Sequence, residues 1–125
     1  MNLPELRGPS LHSLLQQSDL REKLVLQIIK DMESCGLELS LPEAGTLSYD
    51  SLLQELNGLI GPLFEGNSQK LFSLLYRIDI SEKDLSVAGL ELKDYSHSEI
   101  ISHVIIVREL RKILIREYYN NESSE

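Results

Sequence analysis

The stretch "IISHVIIVRELRKILIRE", residues 100–117, decides the fold of this chain. Six of its first eight residues are aliphatic, so that apolar side chains would cover almost every side of a helix. A helix that is apolar all round is normally enclosed by other helices. Ser96, followed by Glu99 three residues later, is the capping-box signature that starts such a helix. We therefore predict a long, largely buried C-terminal helix over about residues 97–119, which forms the central element of the fold.

The second half of this helix is basic. It sets four cations against two carboxylates in a chain whose net charge is −8; the cations are Arg108, Arg111, Lys112 and Arg116. The simplest interpretation is a solvated face with pairs such as Lys112 with Glu109, or Arg116 with another helix. On a helical wheel Arg111 falls among Val104, Leu114, Ile115 and Tyr118. We therefore expect Arg111 to be at least half buried and paired with an acid; alternatively, Arg108 and Arg111 face a cleft or a partner chain.

The N-terminal third predicts one weak and one strong helix. Leu11, Leu14 and Leu15 favour a short helix after Ser10. Asp19 is expected to cap the stronger helix, whose apolar residues recur at helical spacing. Gly36 is expected to end it, because glycine takes the left-handed conformation without penalty. Residues 37–41 alternate like a strand but have no partner strand, so we interpret them as an extended linker that continues through Pro42 and Gly45.

Two helices are predicted in the middle of the chain. Ser48 opens the first, and Pro62 should stop or bend it near Gly61, because proline lacks the N–H group and clashes with the preceding turn. Asn67 or Ser68 is expected to cap the second, which runs through "QKLFSLLYRI".

The stretch "LLYRIDISE", residues 74–82, predicts a tight corner between two helices. Arg77 falls opposite the apolar face of the first helix, and Asp79 lies past its end. Ser81 with Asp84 three residues later forms a capping box that starts the next helix, and Ile80 and Leu85 have the spacing of a hydrophobic staple. The predicted fold is all-α: an irregular bundle of four to five helices in a single domain, residues 1–125, with 1–18 and 120–125 at its periphery.

Composition excludes several classes of function. The chain has 125 residues, enough for one domain, and its acidity disfavours nucleic acid as a partner. We find neither a signal peptide nor the ~20 apolar residues that a membrane span requires. The single Cys35 fits a reducing compartment. We therefore expect a cytoplasmic protein that does not bind membranes.

No catalytic, cofactor-binding or metal-binding constellation is recognisable. Glu99 and His103 share a helix face, but a metal site needs three or four ligands. Cys35 lies near a helix C-terminus, where the dipole disfavours a thiolate. The glycines are not followed by the Lys-Ser or Lys-Thr of a phosphate-binding loop. We accordingly predict no catalytic residues, no cofactor and no metal.

The corner and the last helix together carry a resemblance. "LYRID" at residues 75–79, followed by Ile101, Ile105, Ile106, Arg108, Lys112 and Arg116, resembles a group of small helical proteins of Bacteroidetes-type bacteria. The resemblance covers roughly residues 48–119 and implies an all-helical fold. It implies no activity.

Two hypotheses for function remain. The first is a small non-enzymatic protein that binds a protein partner or itself, because the last helix has surplus apolar surface. The second is an enzyme or small-ligand binder whose cleft gathers Arg77, Asp79, Arg108 and Arg111. A cavity of several hundred Å³ lined by these residues would favour the second, and a flat apolar patch the first.

Overall fold

The structure, a computed structural model, describes residues 8–41 and 47–123. These residues form six α-helices and no strand, which confirms the all-α prediction. The helices are α1 (Gly8–Leu14), α2 (Ser18–Ser34), α3 (Tyr49–Gly66), α4 (Ser68–Ile78), α5 (Glu82–Glu91) and α6 (His97–Ser123). The number exceeds the predicted four to five because the short α1 forms as well.

Helix α6 is the central element, as predicted. It packs against α2, α3, α4 and α5. Ser96 and Glu99 form the expected capping box, in which the Ser96 N–H donates to Glu99 Oε1 at 2.9 Å. The residues of α6 that enter the core are Ile101, Val104, Ile105, Ile106, Leu110 and Ile113. Because these six side chains leave water entirely or almost entirely, their burial is a main source of the free energy of folding.

Helix α1 belongs to the core. Leu11 and Leu15, one helical turn apart, are both buried among the residues of the other helices. Sequence analysis placed residues 1–18 at the periphery, and residues 1–7 of that range lie outside the described ranges. Two leucines at the spacing i, i+4 suffice to dock a helix of seven residues.

The two ends of α2 are built differently. The N-cap at its start is Gln17, whose side chain makes no capping hydrogen bond, so the predicted cap at Asp19 is wrong. Asp19 lies inside the first turn, where its negative charge stabilises the helix by interacting with the helix dipole. At its end Gly36 has φ = +73°, and the Leu37 N–H donates to the Met32 carbonyl at 2.9 Å. This is a Schellman motif, with Gly36 at the predicted position.

The segment after α2 has no regular structure over residues 37–41, so the strand-like alternation of its sequence forms no strand there, as predicted. Pro42 and Gly45 lie outside the described residues.

Helix α3 passes through Pro62 and ends at Gly66, four residues beyond the proline. The backbone group that loses its donor is the carbonyl of Gly58, and Gly58 is exposed to solvent. Water can satisfy that carbonyl, so a proline on this outer face does not terminate the helix. Of the two effects expected near Gly61, the stop is therefore wrong and the bend stays a prediction.

The corner between α4 and α5 is closed by two motifs. Asp79 adopts the left-handed conformation with φ = 71°, and the Ile80 N–H donates to the Leu75 carbonyl at 2.9 Å. Asp tolerates this conformation better than most residues. Ser81 then caps α5: its N–H donates to Asp84 Oδ2 at 2.9 Å, and the Asp84 N–H donates to Ser81 Oγ at 3.2 Å. The predicted capping box is therefore confirmed.

We expect Ser81→Ala to lower the free energy of unfolding by about 1 kcal/mol, because the N–H of Asp84 loses its acceptor. Urea denaturation followed by circular dichroism measures this change. Ser86→Ala, an exposed substitution within α5, is the matched control and should leave stability almost unchanged. Equal stability of both variants and the wild type would contradict the role assigned to the cap.

Candidate functional site

A groove of about 490 Å³ runs between α5 and α6. The two helices are joined by a short connection, so they are antiparallel, and each contributes about two turns to the walls. The apolar lining consists of Val87, Ala88, Val104 and Val107. No residue of α5 is fully buried, and Val87 is 49% exposed, so the groove is open along its length.

One end of the groove is cationic. Lys83, Arg108 and Arg111 line it. Arg108 Nη2 lies 2.7 Å from Asp79 Oδ2, and the carboxylate of Asp84 is held by the cap at Ser81. Within the described ranges, Lys83 and Arg111 have no carboxylate at ion-pair distance. These two side chains are therefore available to an anionic ligand.

The opposite end of the groove holds His103 and Glu91. The Tyr49 hydroxyl lies 2.7 Å from His103 Nδ1 and 2.9 Å from the Tyr95 hydroxyl. Burial raises the pKa of Tyr49, so its hydroxyl stays protonated. Burial lowers the pKa of His103, and this effect outweighs the negative charge of Glu91, which on its own would raise that pKa. The hydrogen bonds of this chain can run in either direction, and the direction decides which imidazole nitrogen carries the proton. We expect Tyr95 to donate to Tyr49 and Tyr49 to donate to Nδ1, which would place the imidazole proton on Nε2.

The prediction that Arg111 is buried is wrong. Arg111 is exposed and lines the groove. The buried stripe of this half of α6 consists of Ile106, Leu110 and Ile113, and Arg111 lies roughly 120° around the helix from its centre. The error arose because Leu114 and Ile115 were taken to mark the core, whereas both are only partly buried.

Arg77 and Lys112 lie elsewhere, each paired with one of two buried carboxyls between α2, α4 and α6. Arg77 is exposed on the outer side of α4, as predicted, and its Nε lies 3.6 Å from Asp31 Oδ1. Lys112 Nζ lies 3.2 Å from Glu109 Oε1, the pair expected from the sequence. Asp31 is 4% exposed and Glu109 is 0% exposed. Of the four residues expected to share a cleft, only Arg108 and Arg111 line the groove between α5 and α6. Asp79 pairs with Arg108 without lining it, and Arg77 contacts Asp31.

The two carboxyl groups of this cluster have opposite pKa shifts. Burial, and next the neighbouring Asp31, raise the pKa of Glu109 from 4.5 to about 8, against the effect of Lys112. Burial on its own would raise the pKa of Asp31, but hydrogen bonds from Glu109 and Gln27, with Lys112 and Arg77 nearby, hold it below its usual value. Such opposed shifts are typical of a carboxyl pair that shares a proton.

Arg116 lies on a third surface. Its Nη2 donates to Gln27 Oε1 of α2 at 3.5 Å. Lys23 of α2 pairs with Glu117 close by. These contacts bear out the expectation that Arg116 would meet another helix, and they place it away from the groove between α5 and α6.

Sequence reasoning missed Asp31, Tyr49, His103 and the burial of Glu109. For the two acids a signal was present. Asp31 follows the buried Ile28 by three residues, and Glu109 lies four residues before Ile113. A polar residue at a core position of an amphipathic helix is a candidate for a buried, partnered group. Tyr49 and His103 lie 54 positions apart, and no local pattern connects them.

The described residues contain no group of three or more His, Cys, Asp or Glu side chains arranged to hold a metal ion. Within the same ranges, no helix has both the length and the hydropathy needed to cross a bilayer. No protein-family model, curated protein or solved structure matches the chain. The resemblance to small bacterial helical proteins therefore stays a prediction.

We expect His103 to be neutral at pH 7, with its proton on Nε2 and a titration midpoint below the ordinary value of about 6.5. Since the unfolded imidazole binds the proton more readily, this residue should destabilise the fold as the pH falls below that value. Long-range ¹H–¹⁵N spectra of the histidine rings across pH 4–8 measure tautomer and midpoint. Tyr49→Phe, which removes the donor to Nδ1, should change the tautomer ratio. A protonated His103 at pH 7 would contradict the assigned chain.

Proposed function

We propose that this chain is a non-enzymatic protein-binding module, and that its α5–α6 groove holds an acidic, amphipathic segment of a partner protein. The observation that carries the proposal is that the groove is open and apolar along its middle and that Lys83 and Arg111, which have no carboxylate at ion-pair distance among the described residues, lie at one end. The groove spans residues 83–91 of α5 and 103–111 of α6, about 12 Å at 1.5 Å per residue. A helical segment of two turns has this length and would present apolar side chains at i, i+4 and i+7.

Charge supports an acidic partner over a neutral one. The net charge of −8 repels an acidic segment over most of the surface, so the cationic end of the groove would determine where such a segment binds. Lys83 and Arg111 are exposed and have no carboxylate at ion-pair distance within the described residues, although Asp84 lies near enough for Arg111 to lower its pKa. A partner's carboxylates would therefore meet these two cations without breaking a direct ion pair. The exposed Leu90, three residues after Val87 on α5, would extend the apolar contact beyond the groove.

A small ligand is the second candidate, favoured by the volume of the groove, which falls in the range of small-molecule sites. In that case Arg108 and Arg111 would bind its anionic group, with Asp79 positioning Arg108. Arg77, the fourth member of the cleft expected from the sequence, contacts Asp31 and would take no part. Homo-oligomerisation and a cytoplasmic setting stay predictions.

Selection from a library of 16-residue peptides displayed on phage tests the proposal. We expect enriched peptides that combine apolar residues at helical spacing with two or more acids, and whose binding weakens at high salt. The double variant Lys83→Glu with Arg111→Glu should reduce their affinity at least tenfold. Both positions are exposed, so the fold should be kept, which circular dichroism verifies.

The matched control is Lys30→Glu with Lys93→Glu, which changes the net charge equally at exposed positions outside the groove. It should bind the enriched peptides with affinity close to that of the wild type. An equal loss of peptide affinity in both double variants would show that the effect comes from the change in net charge and would contradict binding in the groove. Peptides that bind both variants like the wild type would place the binding surface elsewhere and overturn the proposal.

A further inference from the structure

Two carboxyl groups meet in the interior of the bundle. Asp31 of α2 and Glu109 of α6 are 4% and 0% exposed, respectively, and they lie close enough for each carboxyl to shift the pKa of the other. Both carboxyl oxygens of Glu109 are fully buried, and neither accepts a hydrogen bond from a conventional donor among the described residues. Since carboxylates only accept hydrogen bonds, a contact between two of them requires a proton on one.

The surrounding groups only partly compensate two negative charges. From α2, Gln27 Nε2 donates to Asp31 Oδ2 at 3.1 Å. From α4, Arg77 approaches Asp31 to 3.6 Å, with a side chain that is 51% exposed. From α6, Lys112 approaches Glu109 to 3.2 Å and is 29% exposed. Neither α3 nor α5 brings a charged group within ion-pair distance of these carboxyls, so far as their described residues show.

The positions of the cations decide the protonation state. Both lie at the solvent side of the cluster, where water screens their charge, whereas the two carboxyls face each other where water is excluded. Ionisation of both carboxyls would leave like charges close together, with the partly exposed Lys112 as the one described cation at ion-pair distance from Glu109. One proton on Glu109 supplies the missing donor to Asp31 and removes the repulsion.

We propose that Asp31 and Glu109 form a proton-binding site, which holds one shared proton at neutral pH and thereby makes the packing of α2 against α6 depend on pH. The site lies apart from the groove and is independent of the function proposed for it.

The sign of the pH dependence follows from the two carboxyls. Glu109 has its pKa raised from 4.5 to about 8 in the folded protein, so between these values the folded state binds more protons than the unfolded state. Stability must therefore fall as the pH rises across that window. Asp31 has a lowered pKa, so its contribution is present above its unfolded value and is lost as the pH falls through the folded one. The contribution of this carboxyl pair to stability is thus greatest in weakly acidic solution.

Carbon-13 detection of the side-chain carboxyls in the full chain tests the proposal directly. We expect one glutamate carboxyl to titrate near pH 8, and its signal to be absent from Glu109→Gln. In Asp31→Asn the neighbouring charge is removed, so the midpoint of Glu109 should move to lower pH. A Glu109 carboxyl that titrates in the ordinary acidic range in the wild type would show that both acids are ionised in a four-membered ion network, and would overturn the proposal.

Urea denaturation at pH 6 and pH 9 supplies the second measurement. The urea concentration at the unfolding midpoint of the wild type should fall from pH 6 to pH 9. In Glu109→Gln, whose amide is a permanent donor, this midpoint should fall much less. Glu55→Gln, at an exposed position of α3, is the control and should keep the wild-type dependence. An unchanged pH dependence in Glu109→Gln would contradict the proposal. If that variant fails to fold, the titration of the wild type and of Asp31→Asn decides alone.

Discussion

The exclusion of water from α6 is the constraint on which the rest of the structure depends. Helices on four sides cover it, so every polar side chain on its inner faces has to find a partner within the protein. Ser102 has its partner within α6 itself, because its hydroxyl donates to the Ser98 carbonyl at 2.8 Å. His103 has its partner in Tyr49, and Glu109 in Asp31. The two clusters that give this molecule its chemistry are both consequences of burying one helix.

The sides of α6 differ in how completely they are covered. Helices α2 and α3 bring buried aliphatic residues to it, including Ile28 and Leu56, and there the polar residues are forced into pairs. Helix α5 has no fully buried residue and leaves the groove open beside Val104 and Val107. The proposed proton site therefore lies on the closed side and the proposed binding groove on the open side. Arg108 and Glu109 are adjacent in the sequence, but Arg108 lines the open side and Glu109 lies on the closed side.

The sequence predicted the helices well because their determinants are local. The capping boxes at Ser81 and Ser96 and the C-terminal glycine at Gly36 each depend on residues within one or two turns. Pro62 shows where local reasoning fails, since its effect depends on whether the freed carbonyl of Gly58 reaches water.

The candidate sites were predictable only in part. The expectation that Arg111 is buried and paired was wrong, because partly buried residues resemble core residues in a sequence. The alternative, that Arg108 and Arg111 face a cleft or a partner chain, agrees with the groove that both residues line. The meetings of Asp31 with Glu109 and of Tyr49 with His103 depend on how helices far apart in the chain cross. Helical periodicity identifies which residues are buried, and it carries no information on which buried residue of another helix they meet.

Native-state hydrogen exchange tests most directly the claim that α6 is the enclosed centre and α5 a partial cover. The account predicts that the amides of residues 105–110 exchange only through global unfolding, with a free energy equal to that from urea denaturation. The amides of residues 85–91 should exchange through local opening, with a clearly lower free energy. Equal protection of the two segments, or faster exchange in the middle of α6 than in α5, would contradict the account.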